Sequence, residues 1–535
     1  MALGDLVSSV TYAQIGGLLG LLAVYTLYGA IWRLRLSPIA HVPGPRLAAL
    51  TWWYEFYYDI ILGGQYVFKI LELHNQYGPI VRINPYEVHI RDPDFFPQLY
   101  PNSNKRRDRW HFYTKQFGAP GSGVGTIDHD LHRLRRAAVN PFFSTASVRR
   151  LQPVIESCVD ALLSRLHSDG LLPDKKPIDI LYPFSAFTHD VINEYAFARH
   201  SANTSLPDYG AFETDSLLTG THYGKALQHI SPLLTLTTLL PDPVLSALVP
   251  GWAGFLSIKR SIHSQIASIQ STLNTPAWTL DVSHPTIFHE LLSSKILPPS
   301  EKTLLRLAEE GQVLVQAGTL TASWALALAT YFLLSQPSTL QKLRDELEKH
   351  IPDPGLSVPL AELEQLPYLR ALVKETVRHS LGASGRSARV CPDEDLIFVD
   401  KAGSKWVLPR GVAVAMTNYY TARDPDIYKD PFEFRPERWI DSDAEEIARM
   451  DKYLTVFSGG ARVCLGMWLA QAEITLGLAK LWRVWGTEGD RRRADVGRMR
   501  LFETNIRDVT MAADYFIPIP WKSTKGVRVV LKSFE

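Results

Sequence analysis

The decapeptide Phe457-Ser458-Gly459-Gly460-Ala461-Arg462-Val463-Cys464-Leu465-Gly466 constrains this chain more tightly than any other stretch. Its glycine pair calls for a tight turn, since glycine alone enters the left-handed region without a steric penalty. An apolar segment follows to about Leu481, which places Cys464 at the start of a helix. Free N–H groups and positive potential at a helix start favour the thiolate. Cys158 and Cys391, the other cysteines, form no C-x-x-C pair, so zinc and iron–sulfur centres lack ligands. One thiolate suffices as the axial ligand of a haem iron. A cysteine after a glycine turn, taken alone, reads first as a small buried hydrophobe. The surrounding residues change that reading: Arg462 can reach an anionic group, Phe457 can shield the sulfur from water, and Gly460 can let the backbone approach a flat ring.

The N-terminus poses a separate constraint. From about Tyr12 to Trp32 the chain carries no charge, long enough to cross a bilayer as a helix. Arg33 and Arg35 follow, while the leading segment holds Asp5 and no basic residue. The positive-inside rule then keeps the body of the protein in the cytosol. A cleaved signal peptide fits less well, because a basic leading region and a small-residue cleavage site are missing. Three spans follow: an anchor over 1–36 with its helix at about 12–32, a proline-rich hinge over 37–46, and a single large domain over 47–535. Prolines in the hinge predict a stiff extended connector.

No linker, repeat or low-complexity run divides the large domain. With 46% hydrophobic and 21% charged residues it can bury a sizeable core. A net charge of +1 disfavours nucleic acid as a partner, and the run Lys105-Arg106-Arg107 reads as a solvated surface. Three cysteines in 535 residues fit a reducing compartment. Helical patterns dominate 131–336 and 366–379. Strand patterns cover 80–83, 87–90, 396–399 and 412–417, and the stretch 515–530 reads as paired strands. The class is mainly α with small β-sheets.

Two helices carry further chemistry. One runs from Ser300, a potential cap, to Gln336, and Pro337 ends it. Its middle reads Ala317-Gly318-Thr319-Leu320-Thr321. Gly318 there either leaves room for a ligand or marks a close helix crossing. Thr321 either donates into that gap or bonds its own i−4 carbonyl. On the second helix Glu375 and Arg378 share a face at i, i+3. Downstream stands Phe434-Arg435-Pro436-Glu437-Arg438-Trp439, and His132-Arg133-Leu134-Arg135-Arg136 forms a basic helix face.

At every defined position the decapeptide resembles the haem-binding signature of the cytochrome P-450 superfamily of haem-thiolate monooxygenases, and the other motifs follow in that family's order. The resemblance implies the cytochrome P-450 fold behind one transmembrane helix, with haem b held by Cys464. It implies that Arg462, Arg389, Arg136 and His132 serve the propionates, His132 replacing the usual tryptophan. It makes Glu375, Arg378 and Arg438 a buried network that fixes the loop carrying Cys464. Thr321 and Gly318 match the oxygen-activation motif, although Leu320 stands where the family has an acid. Ala317, Leu320 and the segment 380–387 would face the substrate.

The implied activity is insertion of one atom of O2 into an apolar small molecule, by hydroxylation or epoxidation. Electrons would come from NADPH through a reductase at the endoplasmic reticulum membrane. Phe117-Gly118-Ala119-Pro120-Gly121-Ser122-Gly123 and the ending near Phe516-Ile517-Pro518 resemble fungal secondary-metabolism members of the trichodiene oxygenase type, which implies a terpenoid or polyketide intermediate as substrate. The rival readings are a haem-thiolate isomerase or dehydratase that needs no reductase, a non-catalytic haem-binding protein, and an anchored helical interaction protein.

Overall fold

The structure is a computed structural model that describes residues 12–534 apart from 103–104, 175, 200–201, 238–239, 242, 245–246, 248–249 and 274–283. Asp5, which entered the orientation argument, lies outside the described residues. On helix α1 (Tyr12–Ile31) the described side chains up to Tyr28 are exposed. The span Gln14–Leu36 has a mean hydropathy of 1.7 and is long and apolar enough to cross a membrane. It ends in a π-helical turn, Trp32–Leu36, that carries Arg33 and Arg35.

The proline-rich hinge departs from the expected extended connector. It folds into a turn at residues 37–42, and Ile39 and Val42 are buried. Pro43 accepts a hydrogen bond from the Arg82 N–H (2.8 Å), and Arg82 also donates to the Arg33 carbonyl (2.7 Å). Apolar side chains between the prolines had a core to enter, and that outweighed the stiffness of the backbone.

Helices α2 (His129–Val139), α3 (Gln152–Leu171), α4 (Leu181–Phe197), α5 (Ala211–Thr237), α6 (Leu304–Ser335), α7 (Pro367–Ser380) and α8 (Met467–Val484) are the ones that frame the site. α6 is the axis. Its 32 residues span about 48 Å at 1.5 Å each. Its second half is apolar all round and is buried among α4, α7 and α8. The helix starts four residues later than Ser300. Pro298 and Pro299 open a 3-10 turn over Pro299–Lys302, whose Glu301 carboxylate accepts from Arg135 Nε (2.6 Å) and Nη2 (3.1 Å). Ser300 therefore caps nothing, and Thr303 stands at the cap position without a side-chain bond.

A five-stranded sheet flanks the helices in the order Ile80–Asn84, Glu87–Ile90, Ala413–Ala415, Arg389–Val390, Asp108–Arg109. Its first pair is antiparallel, with Ile80 opposite Ile90, and the third strand joins in parallel. The C-terminal stretch differs from a single pair of strands. Ala513–Tyr515 and Ile517–Ile519 form a hairpin that turns on Phe516 (φ 72°). Arg528–Ser533 leaves to pair with Gly497–Leu501 and Ile178–Asp179.

One buried carboxylate ties α7 to the chain that follows. Glu375 accepts from Arg378 Nη2 (2.7 Å) and Nε (3.0 Å), Arg438 Nε (3.1 Å), the Trp439 indole (3.0 Å) and the Arg435 N–H (2.9 Å). Arg378 and Arg438 use their other N–H groups on the carbonyls of Ala422, Lys429, Asp430, Pro431 and Glu433. Burial would push the Glu375 carboxyl up, but Arg378 and His379 hold it well below the usual range. Replacing Glu375 by Gln leaves two buried guanidinium groups without a counter-charge. The expected loss is about 3 kcal/mol or more, read from urea unfolding. A loss under about 1 kcal/mol would show that the backbone carbonyls alone suffice.

Candidate active site

Two left-handed residues, Ser458 (φ 63°) and Gly460 (φ 68°), shape the loop before α8. Gly459 itself is extended. A Cβ on Gly460 would stand 2.3 Å from the Pro101 carbonyl oxygen and 2.5 Å from that of Tyr100. Gly460 makes room for a neighbouring backbone and is not among the residues that line the cavity. The Cys464 N–H donates to the Phe457 carbonyl (2.8 Å) and closes the loop. Cys464 comes three residues before α8, and the Gly466 N–H points at its sulfur. The surface that Cys464 exposes faces an internal cavity, so burial pushes its thiol up while the Gly466 N–H and Arg136 oppose this.

That cavity measures about 340 Å³. Phe457, Arg462, Arg136, His132, Arg389, Gly318 and Thr321 all line it together with Cys464. Arg136 comes from α2 and donates to the Val463 carbonyl (2.8 Å). Arg462 donates to the carbonyls of Thr126 (2.7 Å), Ile127 (2.8 Å) and Asp128 (3.1 Å), just ahead of α2. Arg389 donates to Ser387 Oγ (2.9 Å) and lies over the Tyr100 ring.

Sequence reasoning missed Arg109, which also lines the cavity. It stands directly across the strand pair from Arg389 and lies over the rings of Tyr113 and Phe117. The basic run read as solvated holds the missed signal. Arg107 is buried and pairs with Glu394 (2.9 Å), and Arg109 is the next inward position of a period-two pattern.

Among the described residues no carboxylate lies within 4.0 Å of Arg109, Arg136, Arg389 or Arg462. Burial, then Arg109 and Arg389 beside it, push Arg462 down to about 8. Burial and the neighbouring arginines push His132 down to about 2, and its Nδ1 has no partner. Nε of Arg109 and of Arg462 are unpartnered as well. Buried cations without a counter-ion are costly, and a bound anionic group removes that cost. A thiol on one wall with a basic cluster on the same cavity fits haem, whose propionates would supply the missing negative charge.

Two expectations on α6 resolve toward packing. A Cβ on Gly318 would meet Ile192 of α4 at 2.9 Å, so the glycine marks a close helix crossing rather than ligand space alone. The Thr321 hydroxyl donates to the Ala317 carbonyl (2.9 Å). Leu320 lines the cavity too and packs with Leu217 of α5 and Ile517 of the hairpin. Glu375, Arg378 and Arg438 stand away from the cavity. They act on the loop indirectly, since the Tyr428 hydroxyl, inside the braced segment, donates to Met450 (3.0 Å) on the helix that precedes it.

Comparison with known proteins gives a consistent picture. The sequence pattern of the family described as cytochrome P-450 matches residues 43–488. The cytochrome P-450 monooxygenase tpcC of Cochliobolus heterostrophus is 43% identical over 94% of both chains. The cytochrome P-450 monooxygenase astB of Talaromyces wortmannii is 39% identical over 95% of this chain and 96% of its own. The N-acetyltryptophan 6-hydroxylase ivoC of Emericella nidulans is 38% identical over 96% of both.

The uncompensated cluster gives a prediction with opposite signs. Arg109→Met removes one buried cation facing Arg389. It should raise the stability of the haem-free protein by about 1 kcal/mol and weaken haem retention. Thermal unfolding with and without haem reads both. Shifts in the same direction would show that Arg109 is not part of an anion site.

Proposed function

Because this chain belongs to the cytochrome P-450 family and is a monooxygenase, we propose that Cys464 provides the axial thiolate of its haem b and that Arg109, Arg136, Arg389, Arg462 and His132 hold the propionates. The observation that carries this reading is the convergence of one enclosed thiol and a cation cluster without carboxylate partners on a single cavity. Haem bound there supplies the oxygen-inserting chemistry, driven by electrons that start on NADPH.

The protein's own residues set the conditions. The Gly466 N–H and the Arg136 guanidinium favour the charged sulfur, and Phe457 lines the same cavity. Apolar walls from Val313, Leu314, Ala317, Leu320, Phe117 and Phe516 exclude water and orient an apolar substrate. Thr321 holds a hydroxyl proton on the Ala317 carbonyl and must turn about χ1 to present it to the cavity. With Leu320 in place of an acid, proton supply to Thr321 falls to water or to a substrate hydroxyl.

The substrate we propose is an apolar ring-bearing small molecule of secondary metabolism, a terpenoid or polyketide intermediate, with hydroxylation as the reaction. Relatives named as monooxygenases and hydroxylases support that choice over an isomerase or dehydratase. The partner is an NADPH-cytochrome reductase. Helix α1 would anchor the protein in the endoplasmic reticulum membrane with the domain 47–535 cytosolic.

Coexpression with a reductase tests the assignment. Cys464→Ala should abolish both the Soret band of the carbonyl complex and every oxidised product. Thr321→Val should keep the band and lower product formed per NADPH consumed, by about tenfold. Unchanged product in Cys464→Ala would overturn the thiolate assignment.

A further inference from the structure

A second buried charge cluster sits beside the cavity and takes no part in holding haem. Lys225 of α5 is almost fully buried. Its Nζ lies 3.3 Å from Asp59 Oδ2 and 3.2 Å from Asp514 Oδ2. Arg386 pairs with Glu55 and with Glu87 (3.0 Å) alongside. Glu55, Asp59 and the His229 ring converge as metal ligands would, but Arg386 and Lys225 already hold those carboxylates. The cluster is a joint between chain segments.

Two of the segments it joins, α5 and the hairpin, line the cavity. On α5, Gly220, Thr221, Gly224 and Leu227 line the cavity around Lys225. On the hairpin, Asp514 Oδ1 accepts from the Phe516 N–H (3.0 Å) and the Ser384 hydroxyl (2.8 Å). That carboxylate holds Phe516 in its left-handed conformation, with the ring edge-on to Phe117 at 5.1 Å. Such backbone is strained for a bulky residue and persists only where its surroundings fix it. Asp59 belongs to the turn Tyr57–Ile61 near the anchor, where Trp53, Tyr57 and Ile61 are exposed.

The joint is strong yet incompletely satisfied. Asp59 Oδ1 has no partner, and His229 Nε2 stands 3.6 Å from Asp59 Oδ2 without a hydrogen bond. One residue past His229, α5 breaks at Ile230 (φ −125°, ψ 33°). A buried latch thus lies next to a break in the helix it fastens.

We propose that Lys225, Asp59 and Asp514 form the latch of the active-site roof, positioning Phe516 and α5 together over the cavity and parting, with Ile230 as hinge, to admit bulky substrates. The inference rests on the haem-binding reading of the cavity. Lys225 and Asp514 act as positioning residues, since they touch the roof and leave the reacting atoms to others. While the latch is closed, α5 and Phe516 exclude water. Once it parts, both walls lose their shared tether at the same moment.

Stopped-flow mixing of the holoenzyme with two azoles, imidazole and clotrimazole, tests this through the Soret shift each causes on nitrogen ligation. In Asp514→Asn, clotrimazole should bind and leave about tenfold faster than in the parent, while imidazole rates stay within about twofold. Lys225→Arg keeps the charge and should keep the parent rates. If Asp514→Asn fails to fold, the triple variant Lys225→Met, Asp59→Asn, Asp514→Asn removes the charges together and should show the same split. Equal changes for both azoles, or none for clotrimazole, would overturn the latch. A parent protein whose Soret band shifts with neither azole would overturn the haem reading instead.

Discussion

Glu375 accepts five donors while completely shut off from water, and much of the chain is arranged so that this is affordable only as a set. A lone buried carboxylate would take up a proton or unfold its surroundings. Two guanidinium groups cancel its charge and then have N–H groups to spare. Those spare donors fasten the irregular backbone of 422–433, which has few regular partners of its own. Fastening it fixes the short helix Ala444–Lys452 through Tyr428, and the thiol loop begins directly after that helix. That carboxylate thus braces, from a different layer of the molecule, the chain that leads to the thiol loop.

The cavity uses the opposite principle. At Glu375 every charge is answered, whereas around Cys464 the cations outnumber their partners. Arg109 and Arg389 even face each other across a strand pair, an arrangement that repels in an isolated sheet. Such a site is completed only by what it binds. Stability and ligand affinity are coupled there, because an anion that fills the cluster also removes a standing penalty on the fold.

How much of this was legible in the chain depended on distance along it. Cys464, Arg462 and Phe457 fall within one loop, and Glu375 and Arg378 within one helical turn, so short motifs that resemble the family's marked them. The partners of Gly460 are the carbonyls of Tyr100 and Pro101, about 360 positions earlier, and no local pattern announces them. The strands at 87–90 and 396–399 were readable from local strand-forming residues, while the hairpin at 513–519 turns on a phenylalanine that no turn rule favours. Lys225 was invisible for the same reason. Its two carboxylates come from opposite ends of the sequence, and an isolated lysine on a helix reads as surface.

Leu320 joins these two electrostatic regimes. Its neighbours Leu217 and Ile517 belong to α5 and to the hairpin, the same two elements that Lys225 and Asp514 fasten together. The roof therefore has two contacts in parallel, a charged one at the joint and an apolar one at Leu320. A carboxylate at position 320 would replace the apolar contact with a buried charge lacking a cation, since Lys225 is already shared by two acids. The apolar residue at 320 thus belongs to how the cavity is closed, and in the mechanism we propose the proton for Thr321 arrives with the water or substrate that the roof admits.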